Sequence, residues 1–167
     1  MRTRTAARRI ALQALYQWDA RGEEFRGELE RFLQDWGRTT EERDFARECV
    51  LGCRDRLAEI DRRLEGYSQH WTLGRMAALD RNILRLGAYE LLFRDDVPPK
   101  TAIDEAVKLA KLFSTRESGA FVNGILDALM ASAAQPASAA KESAQPRAAV
   151  PQASAAQPPS KADLPRG

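Results

Sequence analysis

The sequence predicts an all-α protein, a compact bundle of six or seven helices followed by a disordered C-terminal tail. Three observations carry that expectation. Apolar residues recur at helical spacing throughout residues 1–130. No stretch shows convincing period-two alternation or reads as a hairpin. Two Ser/Thr-x-x-Glu signatures mark helix starts.

In the first segment Ala7, Ile10, Ala11, Ala14, Leu15 and Trp18 form one stripe, with Thr5 as the expected N-cap and Gly22 as the stop. Phe25, Leu29, Phe32, Leu33 and Trp36 repeat the pattern up to Gly37. Thr39 and Glu42 then open a third helix, whose stripe runs through Phe45, Cys49, Cys53, Leu57, Ile60 and Leu64 to Gly66. The rhythm breaks between Tyr67 and Gly74. From Met76 to Phe93 the chain is apolar on more than one face, as expected of a helix central in its bundle. Asp95-Asp96-Val97-Pro98-Pro99 stops it. Ile103, Ala106, Val107, Ala110 and Phe113 mark the next helix. Ser114 and Glu117 give the second capping signature, and Phe121, Val122, Ile125, Leu126 and Leu129 the last stripe.

Residues 131–167 hold six of the eight prolines, no aromatic side chain, and Ala-Gln-Pro three times. Such a segment buries too little apolar surface to offset its ordering entropy, so the folded domain is expected over 1–130 and disorder over 131–167. The chain carries a net charge of +2, and Lys141, Arg147, Lys161 and Arg166 against Glu142 and Asp163 place all of it in the tail. The domain is therefore neutral overall, and affinity for nucleic acid has to come from a local patch.

Catalysis finds little support. His70 is the sole histidine and has no nucleophile-elbow sequence to serve. Cys49 and Cys53 lie on an apolar stripe without a second pair of soft ligands, so core packing and no metal or cofactor are expected. No phosphate-binding Gly-rich loop and no His-Glu-x-x-His is present. With neither a signal peptide nor a membrane-length apolar run, a cytoplasmic protein with reduced thiols and no membrane contact is expected.

Two features point to ligands. Arg2, Arg4, Arg8 and Arg9 crowd the first ten residues with no acid among them, and cations at a helix start oppose the macrodipole. That arrangement fits phosphate binding, beside the simpler reading of incidental surface arginine. The segment Phe113-Ser114-Thr115-Arg116-Glu117-Ser118-Gly119-Ala120-Phe121-Val122-Asn123, with Lys108 and Lys111 nearby, joins a helix N-terminus to cations and two phenylalanines. Phe113 and Phe121 fit either stacking on unpaired bases or the helical core pattern.

Four blocks resemble the NusB family, in the family's order: Ala7–Trp18, Leu79–Leu91, Asp96–Lys111 and Phe121–Asp127. The resemblance implies an all-α fold of two packed helical halves and binding of the single-stranded boxA element of nascent ribosomal RNA. It also implies a partner, the small-subunit ribosomal protein that doubles as NusE, and entry into an RNA polymerase antitermination complex with other Nus factors. A homodimer of the free protein stays open. The resemblance assigns Arg4, Arg8, Lys111, Phe113, Glu117, Phe121 and Asn123 to RNA binding, and Tyr16 and Asp80 to NusE; Arg9, which falls where an acid can sit in the family, and Gln13 are expected at the RNA surface with them. The basic arm is spaced differently here: Thr5 and Ala6 stand where some relatives carry further arginines. The alternatives are a NusB-like regulatory domain of a ribosomal RNA cytosine methyltransferase lacking its catalytic part, and a helix-turn-helix DNA binder.

Overall fold

A computed structural model describes residues 2–67 and 72–134. Seven α-helices run through them: α1 (Arg2–Arg21), α2 (Leu29–Trp36), α3 (Thr40–Asp55), α4 (Leu57–Glu65), α5 (Ala78–Phe93), α6 (Pro99–Phe113) and α7 (Arg116–Ala133). Short 3-10 turns at Gly22–Glu28 and Leu73–Arg75 lead into α2 and α5. The described residues contain no strand. Met1–Gln135 form one compact unit.

The apolar stripes build the core as their periodicity implies. On α5 every residue from Asn82 to Glu90 is buried, and the helix packs against α1, α3, α4, α6 and α7. It is the central rod of the bundle. Gly87 permits the closest approach on it: a Cβ there would come within 2.7 Å of Leu126 Cδ1 on α7. At the opposite end, Gly22 ends α1 with φ at +77°, a conformation that costs glycine little. The turn it makes brings Phe25 to Trp18, and ring contacts continue from Phe25 through Phe32 to Trp36 with centroids 5.7–6.2 Å apart.

Ion pairs tie the helices together. Asp19 on α1 accepts from Arg81 at 2.6 Å and from Asn82 at 3.1 Å, and Arg85 grips Asp61 on α4 through two 2.8 Å bonds. Burial raises the Asp19 carboxyl, but the hydrogen bonds from Arg81 and Asn82 outweigh it and hold the group below its ordinary range.

Four local expectations are corrected. Helix α1 begins at Arg2, so Thr5 is no N-cap; its hydroxyl donates to Glu105 on α6 at 3.2 Å. The third helix is two helices, because Arg56 (φ −110°, ψ 18°) leaves helical geometry and divides α3 from α4. Periodicity cannot detect this break, since Ile60 and Leu64 remain on the buried side after it. The second cap sits one residue later than expected: the Thr115 hydroxyl accepts from Ser118 N, while Ser114 N closes α6 by donating to Ala110 O. Helix α7 runs on to Ala133, past the expected boundary at 130. His70 and the tail from Gln135 onward lie outside the described residues.

Candidate nucleic-acid interface

The four arginines of the N-terminal arm separate once α1 is packed. Arg8 is 3% exposed, and its Nε donates to Glu90 Oε1 at 2.8 Å and Oε2 at 3.1 Å. Its guanidinium also lies 5.2 Å from the Phe45 ring centroid and 3.9 Å from Glu105. Burial pushes the Glu90 carboxyl up, and the Arg8 hydrogen bond opposes that shift. Arg4 is half-buried: it pairs with Asp96 at 2.8 Å and sits 4.8 Å over Phe45. The expectation of four uncompensated arginines is therefore corrected. The acids that compensate two of them come from α5 and from the turn after it, far away in sequence. Arg8 in particular does not present its guanidinium to solvent.

Arg2 and Arg9 remain exposed. Arg9 lines a groove between α1 and α6 with Thr5, Glu105, Lys108, Lys111 and Leu112. A second groove, between α6 and α7, is lined by Asp104, Lys108, Lys111, Arg116, Gly119 and Asn123 among others. Lys108 and Lys111 belong to both, so the two join into a track crossing α1, α6 and α7. Lys108 lies 3.5 Å from Glu105, whereas Arg9, Lys111 and Arg116 have no ion pair among the described residues. Gln13 is half-buried one turn beyond Arg9 on α1. A track of cations with an apolar floor can follow a nucleic-acid backbone, each cation taking a phosphate.

Lys108 and Arg116, which the resemblance does not assign, line the track with the residues that it does. Arg116 opens α7, a cation against the helix dipole, which is the same signal that singled out the N-terminal arm.

A third recess holds residues that the sequence reading had divided between two partners. Phe121 and Glu117 line it beside Asp80, Ser118, Arg75 and Met76. Phe121 is half-buried and packs against the core, as does Phe113, so each side chain combines a packing face with some exposed ring. Ser118 Oγ donates to Asp80 Oδ2 at 3.2 Å, tying the start of α7 to the start of α5. Asp80 Oδ1 is buried and has no hydrogen-bond partner among the described residues. Tyr16 is 40% exposed on α1, one turn before the Asp19 that holds Arg81, the neighbour of Asp80. Glu117 and Asn123 are exposed.

Cys49 and Cys53 are fully buried, and burial pushes the Cys53 thiol up to about 12 and raises Cys49 as well. Among the described residues no group of three or more His, Cys, Asp or Glu is placed to hold a metal ion. No helix among them is long and apolar enough to cross a membrane.

The NusB family model matches residues 5–131. The chain belongs to the NusB family. It is 47% identical over 129 residues to a transcription antitermination protein NusB of an Anaeromyxobacter species, covering 77% of this chain and 90% of the relative. The corresponding protein of Sorangium cellulosum is 43% identical over 127 residues, with 76% and 91% covered. Among solved structures, T. maritima NusB superposes with a TM-score of 0.71 at 37% identity, covering 79% of this chain and 93% of that one. A crystal structure of the antitermination factors NusB and NusE in complex with double-stranded RNA gives 0.71 at 31% identity, with 79% and 98% covered. This NusB-family chain is thus a non-enzymatic transcription antitermination factor with the family's all-α fold.

Proposed function

We propose that this NusB-family protein binds the boxA element of nascent ribosomal RNA, with NusE as its protein partner, and so joins a cytoplasmic antitermination complex on RNA polymerase with other Nus factors. The observation that carries this reading is the continuous track of Arg9, Lys108, Lys111 and Arg116 on a domain with no net charge. The RNA backbone follows the track, with Gln13 and Asn123 as polar neighbours. In the neighbouring recess of α7 the exposed part of Phe121 offers a stacking surface, with Phe113 and Glu117 close in sequence. Arg4 and Arg8 contribute through α1, which they anchor.

NusE docks on Tyr16 and the Asp80 recess. Asp80 lines an open recess at the start of α5, and an exposed tyrosine is a common interface anchor. The relative solved with NusE and RNA supports both partners.

Two measurements test the reading. Purified NusE should be retained by the tagged full chain, and Asp80→Lys should abolish retention while circular dichroism stays helical. Gel shifts should show tighter binding to single-stranded boxA RNA than to a scrambled RNA or duplex DNA. Equal affinity for all three would reduce the track to a non-specific polyanion surface.

A further inference from the structure

Lys111 lies in both grooves of the cationic track, yet no acid holds it among the described residues. A free lysine carries about 2 kcal/mol of rotamer entropy, which has to be given up when it grips a phosphate. What confines it is its stem. Gly119, in the first turns of α7, faces the last turn of α6. A Cβ placed there would lie 3.2 Å from Lys111 Cγ, 3.4 Å from Lys111 Cε and 3.8 Å from Val107 Cγ1. The methylene chain of Lys111 therefore runs across the bare backbone of Gly119, with Val107 as its other neighbour. Lys111 lines the groove that also holds Arg116 and Asn123, so a stem held against Gly119 keeps its ammonium beside that groove.

We propose that Gly119 is a positioning residue for RNA binding: its missing side chain forms the channel that holds Lys111 in the α6–α7 groove. The role rests on the RNA reading above. Glycine at this position costs helix stability, because glycine is the poorest helix former after proline. Its φ is not positive, so the backbone does not require it. The close contact is with a flexible, exposed side chain, which an added methyl group pushes aside without disturbing the core. Replacement by alanine therefore acts on function and stability in opposite directions.

The test uses the full chain and a short single-stranded boxA RNA, with affinity and melting temperature measured on the same samples. Lys111→Ala should weaken binding about tenfold, the scale of a charge-assisted hydrogen bond. Gly119→Ala and Gly119→Ser, which add the same Cβ, should each weaken it by about three- to tenfold. Their melting temperatures should be unchanged or, for alanine, higher. The Gly119→Ala/Lys111→Ala double variant should bind no worse than Lys111→Ala alone, since the glycine acts through the lysine. If Lys111→Ala weakens binding and Gly119→Ala does not, or if the two losses add in full, the positioning role is overturned while the RNA reading stands. If Lys111→Ala itself binds as tightly as the parent protein, the RNA reading of this groove fails and the role of Gly119 falls with it.

Discussion

Arg8 Nε lies 2.8 Å from Glu90 Oε1, and both side chains are almost wholly buried. A residue from the arginine-rich start of the chain thus docks α1 onto the central helix. Removing the arginine would strand a buried carboxylate beside Glu105. We expect Arg8→Ala to destabilise the protein by about 3–5 kcal/mol, the cost of breaking one side of a buried pair. Chemical denaturation measures this directly. RNA affinity should fall only in proportion to the folded fraction. A normal melting curve with lost RNA binding would restore Arg8 to the interface.

Arg9 and Lys111 should behave in the opposite way. Each is exposed and lacks an ion pair among the described residues, so alanine at either should leave melting within a degree or so of the parent. Each phosphate contact on single-stranded RNA contributes about −0.7 to the slope of log affinity against log salt. The double variant should therefore flatten the slope by about 1.4. An unchanged slope would take both residues off the RNA path.

Phe121 divides its ring between the core and the recess that it shares with Asp80. Phe121→Ala should cost less stability than the about 3–5 kcal/mol of a fully buried phenylalanine. The same variant should lose about 1–3 kcal/mol of RNA affinity if a base stacks there. Melting and titration on one sample separate the two effects. A large stability loss with unchanged RNA affinity in the folded fraction would make the ring a core residue only.

Acid should loosen the start of α1. Hydrogen bonds from Arg94, followed by its charge and by Arg4, hold the Asp96 carboxyl down at about 2. Its folded-state value is depressed, so its contribution is complete above the unfolded value near 4 and fades as pH falls toward about 2. The melting temperature of the parent protein should accordingly exceed that of Asp96→Asn at neutral pH, with the gap closing between about pH 4 and 2. A gap that stays constant across this range would mean that Asp96 acts through packing instead of charge.

Much of the bundle was legible before any coordinates. The stripes on α1 and α7, the Thr39 cap and the central position of α5 all follow from which side chains recur every third or fourth residue, a property local to the chain. The four blocks that resemble the family are legible there too, as a likeness of sequence and not of periodicity. The division of labour among the arginines is not local. Arg8 and Glu90 stand 82 positions apart, and only the docking of α1 on α5 shows that one cation of the arm is spent inside the fold while its neighbour Arg9 faces out. The same holds for Phe121 and Asp80, which were expected to serve different partners and share one recess because Ser118 ties α7 to α5. It holds for Gly119, whose meaning lies in the lysine that crosses it from another helix. Periodicity records which face of a helix is buried. Which charges are then neutralised depends on the acids that other helices bring to that face, and tertiary packing alone decides this.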